Sequence, residues 1–461
     1  MRMIADRQLP LQFSGTQKIT QDWYDLYGKI DTILNRMPEI TQQVHDDLTG
    51  GTRKLKRNVE GVASDSILRM VIVQQIEQLS FRDIIVRVDD STSLRYFCRF
   101  YDDPLISFGN YCTLANMIRP ETWEKINQVL VFYARDKQGF KGEKLRIDTT
   151  AVETDIHFPT DSSLLLDCIK VLSRLIVRAR EIDPALTGKW RSRLKNARRL
   201  AQKIARGGKK QHKATRKRLY KQLLAAAKRA LAKAREVKAN IDTGKGTITS
   251  DEQWLALESL SLEIAHYSPM TEKCEHQARE RVLNEIPVPN EKKLFSIFED
   301  HTELLIRGKA GKEIEFGHMA EFHQIEGGLI TGYQSHEKRP SEPALLEKAV
   351  KRHFEIFGNK PRCVASDKGF YNKEIVERIG RDGMESVCVP KKGKRNKEEE
   401  AKEHSIWFKA AQAFRAGIEG TISVLKRAFG LGRCLREGFK HFTSWVATGV
   451  LAHNLVLLAR K

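Results

Sequence analysis

Three acidic side chains stand where chemistry could be done. Asp148 follows the strand-like run Lys144-Leu145-Arg146-Ile147. Asp367 follows Cys363-Val364-Ala365-Ser366 and leads into Lys368-Gly369-Phe370-Tyr371. In α/β sheets ligands gather where strands finish, so two such aspartates can meet in space despite the 219 positions between them. Either Asp taken singly is also a common turn or cap residue. Glu153, Asp155 and Asp161 are close rivals for the first acid, and Asp148 is preferred because it alone immediately ends the apolar strand. Glu419 lies in Phe414-Arg415-Ala416-Gly417-Ile418-Glu419-Gly420, where Phe414, Ile418, Ile422 and Leu425 form an apolar helix stripe. Arg415, Glu419 and Lys426 fall within about 40° of one another on the adjoining stripe. Such a carboxylate is either an i,i+4 ion pair or a metal ligand beside two phosphate clamps, and spacing alone favours the ion pair.

Periodicity predicts the elements that position these residues. The first sixty residues are mostly helical, with Tyr27, Ile30, Ile33 and Leu34 on one face, and Gly50-Gly51 with the basic run 53–57 reads as a linker. Over 64–138, Ile67, Leu68, Val71, Ile72, Leu79, Ile84 and Ile85 keep helical spacing. Breaks at Asp103-Pro104 and Arg119-Pro120 make this a compact helical domain. Alternation and the β-branched Thr149, Thr150 and Val152 mark a strand around Asp148, and Pro159-Thr160-Asp161-Ser162 starts a helix with Thr160 or Asp161 as N-cap. After Pro287-Val288-Pro289, strands are expected at 295–298, 303–306, 313–316 and 319–325, with Gly327-Gly328 turning the chain into 329–333. A helix over 343–357, a strand at 363–366, a helix near 373–379, a strand at 386–389 and a charged linker over 391–403 follow. Two or more helices close the chain. Strands interleaved with helices place this half in the α/β class.

The chain carries 80 Lys and Arg against 59 Asp and Glu, a net charge of +21. Such an excess suits a polyanionic partner, nucleic acid being the commonest. It also suits a merely solvated basic surface. Residues 189–238 hold 20 Lys and Arg and one acid, Glu236, so +19 of the +21 sits in this segment. Its setting, 164–284, is rich in Leu and Ala and suited to helices. Lys209, Lys210, Arg216, Lys217 and Arg218 could neutralise phosphates with a steep salt dependence. A solvated helical hairpin without a ligand is the alternative.

Seven cysteines are scattered with no C-x-x-C pair, which predicts a reducing cytosol rather than a disulfide framework or zinc ribbon. The N-terminus lacks the apolar core of a signal peptide. The longest apolar stretch, 445–459, contains His453 and Asn454 and is too short and broken for a membrane span, so a soluble protein is expected. Gly244-Lys245-Gly246-Thr247 lacks the upstream glycine of a phosphate-binding loop, which argues against an ATP-driven enzyme.

At its acidic residues the chain resembles bacterial insertion-sequence transposases of the DDE type. The segments that carry the resemblance are Arg146-Ile147-Asp148-Thr149-Thr150, Ala365-Ser366-Asp367-Lys368-Gly369-Phe370-Tyr371, and Arg415-Ala416-Gly417-Ile418-Glu419 with Lys426. The last matches a family pattern with Arg four before the Glu and Lys seven after it. Phe429-Gly430-Leu431-Gly432-Arg433 and Leu451-Ala452-His453-Asn454-Leu455 look like the closing helices of the ISNCY-like group. Leu79-Ser80-Phe81-Arg82-Asp83 and Ser93-Leu94-Arg95-Tyr96-Phe97 are similar to the helical domain that precedes the core. The resemblance covers most of 25–461 and is weakest in the basic insertion. It departs at Gln412, where the family often has a Tyr three before the Arg; Phe408 and Phe414 are out of register.

The resemblance implies an α/β protein with an RNase H-like mixed sheet flanked by helices, a helical N-terminal domain and a long basic helical insertion. The expected boundaries are 1–62 for a helical segment and linker, 63–140 for a helical DNA-binding domain, 141–160 plus 288–461 for the catalytic domain, and 161–287 for the insertion. It implies Asp148, Asp367 and Glu419 as metal ligands for two Mg²⁺ ions, with Mn²⁺ as substitute, and Arg415 and Lys426 as phosphate clamps. The implied partners are the transposon's terminal inverted repeats, target DNA and a second copy of the chain, in the bacterial cytoplasm at the nucleoid, with no membrane. An RNase H-like nuclease without strand transfer, and a non-catalytic DNA-binding regulator, are the alternatives.

Overall fold

The computed structural model describes residues 16–50, 61–244, 250–309, 312–381 and 384–461. The linker expected at 50–57 falls almost wholly outside them, as does most of Gly244-Lys245-Gly246-Thr247. The chain forms two compact units: residues up to Asp155 together with Gly317–Lys461, and Ile156–Phe316.

Among the described residues the first unit begins with seven helices. α1 (Lys18–Asn35) buries Tyr27, Ile30, Ile33 and Leu34, the face its spacing predicts. α2 (Pro38–Thr49) opens on a proline, which lacks the amide hydrogen that a first turn leaves unpaired, and stops at Gly50 with φ of 65°. α3 (Ser64–Ile76) is buried almost all round, and α4 (Asp83–Asp90), α5 (Thr92–Phe97), α6 (Phe108–Met117) and α7 (Pro120–Gln138) complete the set. Two buried guanidiniums sit among them. Asp65 pairs with Arg69 at 2.8 Å and with Arg99 at 2.5 Å, and both arginines also reach Asp31.

β1 (Lys144–Thr154) follows, and it corrects one expectation: Asp148 lies inside the strand rather than at its end. The branched side chains of Thr149, Thr150 and Val152 favour extended backbone and carry the strand six residues further.

The second unit is built from α8 (Asp161–Ile182), α9 (Pro184–Thr187), α10 (Leu194–Gly207), α11 (Lys213–Asp242) and α12 (Asp251–Ala278). Thr160 caps α8, its hydroxyl accepting from the Ser163 amide. The apolar stripes of these helices close on a core of their own that includes Leu172, Leu175, Leu200, Leu223, Leu260 and Ile264. Residues 295–298, expected as a strand, form bends instead, because the Ser296 hydroxyl accepts from the Phe298 and Glu299 amides and turns the chain. β2 (Glu303–Lys309) ends the unit, and β3 (Lys312–Ile325) leads out of it, one strand where two were expected.

The rest of the first unit comprises β4 (Ile330–His336), α13 (Glu342–Phe357), β5 (Cys363–Ala365), α14 (Lys373–Arg381), β6 (Ser386–Cys388), α15 (Lys397–His404), α16 (Ile406–Ala428), β7 (Arg433–Cys434) and α17 (Phe439–Arg460). α15 replaces part of the expected charged linker, started by a reciprocal cap between Asn396 and Glu399. β1 pairs antiparallel with β3, from Leu145 opposite Ile325 to Glu153 opposite Gly317, and parallel with β5. β5 pairs parallel with β6, β4 lies antiparallel on β3, and β7 extends the far end of β1. This is the mixed, helix-covered sheet of an RNase H-like α/β fold. α17 is long and apolar enough to cross a membrane by composition, yet 89% of its apolar window is buried in the fold. Its Asn454 pays for burial with hydrogen bonds to the Ile330 backbone and to Asn127.

Candidate active site

The parallel pairing of β1 and β5 sets Arg146 level with Ala365. Asp148 and Asp367 each come two residues later, Asp148 still within β1 and Asp367 in the turn just past β5. Asp148 Oδ1 accepts from the Thr149 amide at 2.8 Å, and Asp367 Oδ1 accepts from the Gly369 amide at 2.7 Å, closing the short turn Lys368–Phe370. Burial is the main reason the Asp148 carboxyl is pushed up to about 6. The Thr149 amide opposes that rise, Asp367 adds to it, Arg415 opposes it and Glu419 adds to it. All three acids therefore share one electrostatic neighbourhood.

Glu419 stands on the exposed side of α16 and pairs with Arg415 at 3.0 Å. The ion pair that spacing favours is thus present. Among the described residues no three His, Cys, Asp or Glu side chains are close enough to hold a metal ion, so the carboxylates are neighbours rather than a closed cage. The donor set is nonetheless all hard oxygen, which suits Mg²⁺ or Mn²⁺ and needs no His or Cys. The rival acids are engaged elsewhere. Glu153 and Asp155 face Arg433 at 3.6 and 3.4 Å, and Asp161 is held by Gln277 and Arg281 in the other unit.

α16 is fastened to the sheet by polar contacts on both sides of Glu419. Arg146 donates to the Phe414 carbonyl at 2.6 Å and to Gln324 at 2.7 Å, with its guanidinium over the Phe414 ring. Gly417 makes room for it, since a Cβ there would overlap Arg146 Nη1. Gln412 donates to the backbone carbonyls of Cys388 at 2.8 Å and Ser366 at 3.3 Å. Beyond Glu419, Gln324 reaches Thr421 at 2.9 Å. Gln75 and Gln78 donate to the Phe429 and Arg427 carbonyls, groups that a helix C-terminus leaves unpaired. Glu342 adds a fourth carboxylate nearby: it accepts the Thr149 hydroxyl at 3.2 Å and lies, like Asp367, against Gly369.

Sequence reasoning gave no role to Gln75, Gln78, Gln324, Thr421 or Glu342. Only Arg146 carried a signal, standing two before Asp148 on the same face of the strand. Lys426 is half-buried in the last turn of α16. The remaining basic candidates belong to the second unit. Lys210, Arg216 and Arg218 are exposed there, whereas Lys217 pairs with Glu285 and donates to the Leu283 carbonyl at 2.9 Å. The Lys209 side chain lies outside the described residues.

Carboxylates near one edge of an RNase H-like sheet, with cations close by, suit polynucleotidyl transfer. Residues 310–455 match the family model described as Transposase DDE domain, and residues 24–117 match one described as Transposase domain (DUF772). The chain belongs to the insertion-sequence transposases of the DDE type, enzymes that move DNA with divalent metal ions. No curated protein and no solved structure matches it. The first match takes in Asp367 and Glu419. Asp148 lies outside both matches, parted from the rest of its sheet by the second unit. Nothing favours the two alternatives, a nuclease without strand transfer or a non-catalytic regulator.

Proposed function

We propose that Asp148, Asp367 and Glu419 are the catalytic carboxylates of this transposase and hold two Mg²⁺ ions, which Mn²⁺ can replace. Two such ions about 4 Å apart together activate an attacking oxygen and stabilise the leaving oxygen of a phosphodiester. The protein's part is positional. In this reading β1 carries Asp148, the turn after β5 carries Asp367, and the neighbouring helix α16 carries Glu419. Arg415 now occupies Glu419, and its planar fork suits a phosphate equally well. It would exchange the carboxylate for the DNA backbone as Glu419 turns to the ions. Lys426 would add a point charge to the same strand.

In this reading Lys209, Lys210, Arg216, Lys217 and Arg218 contact phosphates along the transposon end, and a homodimer brings terminal inverted repeats to target DNA in the cytoplasm at the nucleoid. The resemblance of segments 429–433 and 451–455 supports a reading within the ISNCY-like group. The observation that supports the metal site best is the β1–β5 register, which sets Asp148 and Asp367 two residues past a paired couple on neighbouring strands. The test is cleavage and joining of a DNA fragment carrying the coding region with its natural flanks, in Mg²⁺ or Mn²⁺. Asp148→Ala, Asp367→Ala and Glu419→Ala should each abolish both products while DNA binding persists. Cleavage surviving in any of them removes that residue from the site.

A further inference from the structure

Gln412 stands where the family pattern often places a tyrosine, and its surroundings suggest a different task. It lies on α16 one turn before Arg415 and two turns before Glu419. Its side-chain amide donates to the Cys388 carbonyl at 2.8 Å and to the Ser366 carbonyl at 3.3 Å. Those carbonyls end two adjacent parallel strands: Cys388 is the last residue of β6, and Ser366 immediately follows β5. Cys388 also accepts from the Ser366 amide at 3.3 Å, so the two strand ends are already tied together. The residue after Ser366 is Asp367. One amide therefore links the backbone that carries Asp367 to the helix that carries Arg415 and Glu419.

The setting makes this a rigid link. Ser366 is fully buried, and one turn before Gln412 the ring of Phe408 packs with Ala365, Cys388 and Ala411 in a small apolar cluster. Removing the donor leaves the Cys388 carbonyl with the Ser366 amide and takes from the Ser366 carbonyl its side-chain partner. The link also works with a second. Arg146, two residues before Asp148, grips the same helix at Phe414. Each aspartate's strand thus has its own polar attachment to α16, on the side of Glu419 toward the helix N-terminus.

We infer that Gln412 is a positioning residue that fixes Asp367 relative to Glu419, and that it acts through the backbone of Ser366 and Cys388 rather than by touching DNA. The inference rests on the proposed roles of Asp367 and Glu419. Mg²⁺ demands near-ideal octahedral geometry and is the less forgiving of displaced ligands. An error of an ångström in such a site costs about a hundredfold in rate.

The test uses Gln412→Met, which keeps the side chain's length and loses its N–H donors, and Gln412→Glu, which sets an acceptor against two carbonyl oxygens. Cleavage of the coding-region fragment is measured in Mg²⁺ and in Mn²⁺, with Mn²⁺ affinity by calorimetry and thermal unfolding alongside. Gln412→Met should lower kcat in Mg²⁺ by about tenfold to a hundredfold with KM for DNA little changed. The loss should be smaller in Mn²⁺, Mn²⁺ affinity should weaken, and Gln412→Glu should be worse than Gln412→Met. Wild-type cleavage by Gln412→Met in Mg²⁺, an equal loss in both metals, or a change confined to KM overturns the inference. So does Gln412→Glu outperforming Gln412→Met. Asp367→Asn is run in parallel: if it still cleaves, the fault lies with the metal-site reading and not with Gln412.

Discussion

Arg146 on β1 reaches the Phe414 carbonyl of α16 through the space that Gly417 leaves by having no Cβ. A strand that carries one candidate ligand is thereby held to the helix that carries another. Substituting glycine by alanine within a helix ordinarily adds stability, by up to about 1 kcal/mol. At this position the sign should reverse. Gly417→Ala forces Arg146 from its bonds to Phe414 and Gln324 and should destabilise by about 1–3 kcal/mol, with loss of cleavage. Gly420, three residues on, faces open space, so Gly420→Ala should stabilise and leave cleavage near normal. Thermal unfolding of the two variants checks this; two stabilised proteins would show that the Arg146 contact does not matter.

Asp148→Asn should make the protein more stable as it makes it inactive. The folded carboxyl is raised from 3.8 to about 6, chiefly by burial, so the folded state holds the proton more tightly than the unfolded chain. Stability from this group is present below about 3.8 and is lost as pH rises through about 6. At pH 7.5 without metal the charged Asp148 costs on the order of 2–3 kcal/mol, which asparagine removes. Denaturant unfolding of both proteins from pH 3.5 to 7.5 measures the gap. It should widen with rising pH, and a gap that narrows over this range would refute the prediction.

Asp65→Ala should be the most damaging of these substitutions. Its carboxylate lies between Arg69 and Arg99, whose side chains are 1% and 3% exposed. Asp31, itself partly exposed, is their remaining acidic partner, so both guanidiniums lose a buried counter-charge. Breaking a buried network from one side costs about 3–5 kcal/mol. Chemical denaturation reads the loss directly, and a change under about 1 kcal/mol would mean that water replaces the carboxylate.

Exchange of Lys210, Arg216 and Arg218 for glutamine should weaken DNA binding and flatten its dependence on salt. Each phosphate contact contributes about 0.9 to the slope of log affinity against log salt, so three lost contacts lower it by roughly 2–3. Filter binding or fluorescence anisotropy across a salt series gives the slope. An unchanged slope would take these three residues off the DNA path.

The secondary structure was legible wherever one residue's neighbours decide its conformation. The buried face of α1, the start of α8 with a cap at Thr160 or Asp161, and the strands β4 to β6 could all be read from spacing. The expected linker over 391–403 hid α15, although Asn396 with Glu399 three residues later is itself a helix-start signal. Asp148 was misplaced within its strand because nothing after it breaks the chain, and branched residues extend the strand through Thr154. The fastenings of α16 were beyond reach. Gln75 meets Phe429 across 354 positions, and Gln412 meets backbone carbonyls, which have no sequence signature at all.

The pairing of Glu153 with Gly317 has a consequence for how the chain assembles. Between those two residues lies the whole second unit, so its entry and exit points are a single strand spacing apart. A ribosome delivers β1 more than 160 residues before its partner β3, and β1 must wait without a strand partner in the meantime. Once the intervening helices have closed on their own core, the two ends emerge together and the entropy of searching for the register is largely spent. The folding rate of the catalytic sheet should therefore be governed by the insertion, a passenger in the fold acting as its clamp.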